Sequence, residues 1–231
     1  MNTQDYFHGW GNLPPQEVPR IWKRLSSYWK AALDEAWEAY KAGSVPIGAV
    51  IVDPQGSVVS RGRSRQFEKT GEPGTVYGNP LSHAELNALL TLDYARVQPR
   101  ECVLCTTVEP CPLCMGAAYM AGIRRIRFAS HDFWAGSANM LGSTPYLSMK
   151  PVNCLEPDDQ ELEDAMLALN VEVFCQGTMR RNEELVECYR AKAPRATAHG
   201  QRLHASGALK DAASSGVPMK DALELLRPPR G

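Results

Sequence analysis

Ser82-His83-Ala84-Glu85 and, 28 positions beyond that histidine, Pro110-Cys111-Pro112-Leu113-Cys114 are the segments around which the remaining sequence can be arranged. Together they offer one imidazole and two thiols as soft metal ligands, with a carboxylate that need not bind. That is the composition of a catalytic zinc centre, which keeps three protein ligands and leaves the fourth position to water. Cys111 and Cys114 stand three apart at a predicted helix start, so they share a face, and the helix dipole favours their thiolate forms. Pro112 costs no hydrogen bond at so early a helical position. Ser82 is expected to cap a helix running through Leu86, Leu89, Leu90 and Leu92. Ser82 and Glu85 also have the spacing of a capping box, in which the carboxylate would serve only a backbone amide. A cap needs neither His83 nor the distant cysteines, and their presence favours the metal reading.

A second pair, Cys102-Val103-Leu104-Cys105, repeats the spacing inside a predicted strand over 101–108. Alternation along a strand sends residues three apart to opposite faces, so these two are expected to be structural.

Outward from this centre, residues 1–20 mix glycine and proline with Tyr6, Phe7 and Trp10 and read as an N-terminal arm. From Ile21 to Tyr40 apolar residues recur at helical spacing, with Gly43 as the stop, and the tryptophans there are expected to anchor the helix to a core. Residues 45–52 form an apolar, branched run that reads as a strand covered on both faces. Asp53-Pro54-Gln55-Gly56 turns it into a short strand over 57–60. Residues 61–81 read as a long loop, locally basic at Arg61, Arg63, Arg65 and Lys69. Further strands are expected at 123–129 and 171–175, and helices at 160–169 and 182–192. Strands alternating with helices indicate an α/β layered sheet with parallel crossovers. From residue 193 to 231 the composition turns to Ala, Ser, Gly, Pro and Arg, an appended C-terminal tail with helical pieces only near 207–213 and 219–226.

The whole chain has 231 residues, 44% hydrophobic and 22% charged, as expected for one soluble domain with extensions. A formal charge of −1 withholds the attraction that proteins gripping long nucleic acids display, so nucleic acid is a disfavoured partner. No apolar run is long enough to span a membrane. The first residues lack the pattern of a secretory signal, which places the chain in the cytoplasm as an expectation. Seven cysteines without such a signal suggest metal binding and buried free thiols rather than a disulfide framework.

The two metal-binding segments match the H-x-E…P-C-x-x-C signature of zinc deaminases acting on bases. The run Thr107-Val108-Glu109-Pro110-Cys111-Pro112-Leu113-Cys114-Met115-Gly116-Ala117 resembles the cytidine deaminase superfamily, in particular its guanine deaminase and tRNA adenosine deaminase branches. The resemblance includes Val45-Pro46-Ile47-Gly48-Ala49-Val50 and extends to about residue 192. It implies a three-layer α/β/α fold over 21–192, with helices on both faces of a five-stranded mixed sheet. It further implies one Zn2+ per chain on His83, Cys111 and Cys114, a zinc-activated hydroxide, and Glu85 as proton shuttle. The implied reaction is hydrolytic deamination of a nucleobase or nucleoside, with a guanine-type purine favoured. Substrate contacts are expected from Ser64, Ser82, Glu109, Asp132 and Trp134, and a homodimer is the expected assembly.

Two alternatives stand beside this reading. A tRNA adenosine deaminase, converting adenosine to inosine, is opposed by the near-neutral charge, by the lack of a strongly basic C-terminal helix, and by Ser64. At that position the tRNA branch usually carries a nucleoside-contacting asparagine. A non-catalytic binding module with structural zinc would need a fourth protein ligand, for which His131 and Cys105 are the candidates.

Overall fold

The computed structural model describes residues 20–229, so the arm expected over 1–20 lies outside the described residues except for Arg20, which begins a helix. Five strands form one mixed sheet: β1 (Gly48–Val52), β2 (Val58–Arg63), β3 (Val103–Thr106), β4 (Arg125–Phe128) and β5 (Asn153–Leu155), in the order β2-β1-β3-β4-β5. β1 is antiparallel to both β2 and β3, whereas β3, β4 and β5 are parallel. The antiparallel start follows from the Asp53 turn, whose carboxylate accepts hydrogen bonds from the amides of Gln55 and Ser57. The parallel strands require helical crossovers.

Ten α-helices lie among the described residues. α1 (Arg20–Arg24) and α2 (Ser27–Lys41) replace the single expected helix over 21–40, because Ser26 breaks the run and caps the amide of Trp29. α3 (Ala84–Leu90) and α4 (Pro112–Ala121) carry the two motif segments. They are followed by the short α5 (Pro145–Ser148) and the long α6 (Gln160–Cys175). α7 (Asn182–Lys192), α8 (Pro194–Ser206), α9 (Ala208–Ser214) and α10 (Met219–Leu226) follow.

The sheet is sandwiched. Ala49, Ile51, Leu104 and Ile126 pack against α3 and α4, whereas Val50, Val52 and Cys105 face α2, α6 and the last helices. The α/β/α layering is therefore as expected, with one strand misplaced. The fifth strand is Asn153–Leu155, and residues 171–175, expected as a strand, are the last turns of α6. That helix is buried from Leu162 to Phe174 with few interruptions, so its apolar residues run almost continuously and lose the helical period.

The expected tail also differs. Residues 194–226 are three helices whose Leu203, Leu209, Met219, Leu223 and Leu226 belong to the main core cluster. Trp37, 1% exposed, donates its indole N–H to the carbonyl of Val217 at 2.8 Å. Small residues let these layers approach. A Cβ at Gly200 would run into the Ala168 carbonyl and the Val171 side chain of α6. A Cβ at Gly62 would meet the backbone of Ala84 and Ala88, so β2 sets the seat of α3.

Candidate metal and substrate site

Both motif segments end at helix starts. His83 is the N-cap of α3, and Cys111 that of α4, with Pro112 as the first helical residue. The expected cap at Ser82 lies one residue too early: its hydroxyl is fully buried without a hydrogen-bond partner, and no capping box forms. Glu85 instead turns inward. It is 3% exposed, accepts a hydrogen bond from the Thr106 hydroxyl at 3.2 Å, and lies 3.3 Å from the Cys114 sulfur.

His83 Nδ1 lies 3.4 Å from the sulfur of Cys111 and 3.4 Å from that of Cys114. The three donor atoms all fall within 4.8 Å of one another. Zn–N bonds of about 2.0 Å and Zn–S bonds of about 2.3 Å set a tetrahedral N···S edge near 3.5 Å, so the donor set fits zinc. No fourth His, Cys, Asp or Glu joins the group among the described residues. His131 is held elsewhere by Glu163 at 2.6 Å, and Cys105 points to the α2 and α6 face of the sheet.

The four groups perturb one another strongly. The hydrogen bond from Cys114, together with His83, draws the Cys111 thiol down to about 4, although burial opposes this. Cys114 is pushed up by the Cys111 sulfur, by burial and by Glu85. His83 is raised chiefly by its bond to Cys111. Burial raises Glu85, with opposition from its own backbone amide and from His83.

His83, Glu85 and Cys111 line one cavity of about 210 Å³, which places all three beside a common space. Of the expected substrate contacts, Glu109, Asp132 and Trp134 lie on its wall, Trp134 being 47% exposed at the rim. Ser64 and Ser82 are buried off that wall, and the Ser64 hydroxyl pairs with Ser44 at 3.4 Å. Asp132 acts partly as a turn former. Its Oδ1 accepts from the amides of Trp134 and Ala135 at 2.9 and 3.0 Å and from the Tyr189 hydroxyl at 3.1 Å. Glu109 accepts from the amide of Ala138 at 3.0 Å.

The far wall is made by residues that sequence reasoning did not select: Asn170 and Phe174 from α6, and Leu185 and Tyr189 from α7. Nothing local marks them, since each pair shows only ordinary helical spacing. Two cations of the basic loop are paired within it. Arg63 forms a two-point ion pair with Glu68, and Arg65 pairs with Glu68 and Glu72.

Comparison with known proteins bears on this arrangement. The family model described as the cytidine and deoxycytidylate deaminase zinc-binding region matches residues 23–130. The cytosine deaminase of Candida albicans is 27% identical over 138 residues, 59% of this chain and 83% of that protein. The guanine deaminase of Bacillus subtilis is 31% identical over 123 residues, covering 52% of this chain and 73% of that protein. A structure solved in complex with 2,6-diaminopurine shares the fold, with a TM-score of 0.50 and 21% identity, over 74% of this chain and 96% of that one.

Proposed function

The chain belongs to the cytidine deaminase superfamily, and from that premise we propose that it is a zinc-dependent hydrolytic deaminase of a nucleobase or nucleoside, a guanine-type purine being the favoured substrate. The observation that carries this reading is the buried Glu85 carboxylate, set beside a three-donor metal group on the wall of an open cavity. A structural zinc site would close with a fourth protein ligand. Glu68 and Glu72 hold Arg63 and Arg65, and the chain as a whole carries a formal charge of −1, which favours a small substrate over tRNA.

His83, Cys111 and Cys114 would hold the zinc, which when bound lowers the pKa of a water to about 7. Glu85 takes a proton from the attacking water and passes it to a ring nitrogen. Glu85 then carries the remaining proton of that water to the departing amine, so water and the amino-heterocycle become the oxo-heterocycle and ammonia. Thr106 holds one Glu85 oxygen, which keeps the carboxylate turned toward the donor group. Trp134 at the rim offers a face on which a planar ring stacks. Asp132, fixed by two amides and a tyrosine, positions the loop that carries Trp134.

The test is ammonia release from guanine, cytosine, adenine, their nucleosides and an anticodon stem-loop. Glu85→Gln should lower turnover by roughly 10²- to 10⁴-fold with zinc content unchanged. Full activity in that variant would defeat the mechanism, and turnover of the stem-loop alone would favour the tRNA reading. We also propose a homodimer, for which exposed, mutually contacting Met120 and Tyr146 provide an apolar surface. Solution scattering should give twice the 25.5 kDa chain mass; a monomer would refute the assembly.

A further inference from the structure

Asn170 is a polar side chain of the cavity wall to which the mechanism above gives no task. It lies on α6 one turn before Phe174, lines the cavity with it, and is 3% exposed. Its carboxamide nitrogen is sealed from solvent and has no hydrogen-bond partner. Of the buried orphan polar atoms among the described residues, it is the one that belongs to a cavity-lining side chain. An unpaired donor of this kind is destabilising, and folded proteins keep few of them.

Most other polar groups on the wall are already engaged, the exception being the partly exposed Gln66. Asp132 Oδ1 accepts from two amides and Tyr189, both Glu109 oxygens accept backbone amides, and Glu85 accepts from Thr106. Asn170 is also firmly placed. Asp159 caps the start of α6, and Gly200 of α8 brings backbone against Ala168 and Val171, on either side of Asn170. A carboxamide presents a donor beside an acceptor, and its terminal torsion turns readily. That pair is the complement of a ring lactam edge, a carbonyl oxygen next to an N–H.

We propose that Asn170 is a specificity-determining residue whose carboxamide pairs with a lactam edge of the substrate. The cavity then selects oxo-bearing amino-heterocycles, such as guanine or cytosine, over adenine-type rings, which have no carbonyl and whose amino edge is the one that must face the metal group. The inference rests on the nucleobase deaminase reading and narrows it. A site built to hydrogen-bond a ligand group rejects the analogue lacking that group, because its own buried polar atoms are then left unpaired.

The test uses the full-length, zinc-loaded chain with Glu85→Gln, so that ligands persist during calorimetry. Two matched pairs are titrated, guanine against 2-aminopurine and cytosine against 4-aminopyrimidine; each pair differs only by the lactam oxygen and its proton. At least one oxo ligand should bind roughly 10- to 100-fold tighter than its partner. Asn170→Ala should erase that preference while changing the deoxo ligand by no more than about twofold, and Asn170→Asp, which keeps the shape but loses the donor, should do the same. Equal binding within both pairs, uniform weakening by Asn170→Ala, or no binding to any of the four overturns the inference. Ammonia release by the unmodified chain is read separately. Turnover confined to adenine or adenosine sinks the specificity claim and leaves the deaminase reading standing; no release from any substrate sinks the deaminase reading itself.

Discussion

Two segments of this chain carry cysteines three apart, and their surroundings differ in nearly every respect. Cys111 and Cys114 straddle the start of α4, and both sulfurs lie 3.4 Å from His83. Cys102 and Cys105 straddle the start of β3. Cys102 packs with the α3 and α4 cluster and Cys105 with the α2 and α6 cluster, so the sheet lies between their side chains. One spacing gives convergence at a helix start and divergence along a strand. The same thiol also has different chemistry in each place: burial pushes Cys105 up to about 12, against a small opposing pull from Arg127, whereas Cys111 is drawn down to about 4.

The strongest way to break this contrast is to remove a sulfur from each pair. Cys114→Ser should reduce zinc well below one per chain and turnover by at least about 10³-fold, because the donor set falls to two. Metal analysis and ammonia release measure both effects. Cys105→Ser should leave zinc and turnover intact but destabilise the fold by about 1–3 kcal/mol in urea titration, since it buries a hydroxyl among apolar side chains. Loss of zinc in that variant would erase the distinction between the pairs.

A smaller effect lies in the pH dependence. A thiol whose folded pKa exceeds its unfolded one favours the protonated native state, so the stability contributed by Cys105 is fully present below about 9 and is lost as pH rises from 9 toward 12. Cys105→Ala should flatten that part of the stability curve. Between pH 8 and 9 iodoacetamide should leave Cys105 of the native chain unmodified, whereas in denaturant it should label at the rate of an ordinary thiol.

How legible the molecule was depended on the range of the signal. The donor triad, the inward carboxylate candidate and the decoy pair could be read because a few adjacent residues determine a helix start or a strand alternation. Serine suits a cap position, yet the backbone gives that place to His83, and Ser82 spends its side chain in the interior. Residues 171–175 look like a strand because Val171, Val173 and Phe174 favour one locally. Burial on several sides overrides that preference and keeps α6 helical. β5 has three residues and too little sequence to announce itself. α8 is hidden in the sequence because Ala196, Thr197 and Gly200, the residues that let it press against α6, have the composition of a flexible tail. The far wall of the cavity was illegible for the same reason: α6 and α7 line it through packing between distant parts of the chain.

The bond from Trp37 to Val217 joins residues 180 positions apart, and it has a consequence during synthesis. The apolar face of α2 emerges from the ribosome well before α9 and α10, which help to cover it, are made. Until residue 226 has left the exit tunnel, that face must wait uncovered, which makes the nascent chain a natural client for chaperones. A chain released before α10 would lack the last part of its main core rather than a dispensable appendage.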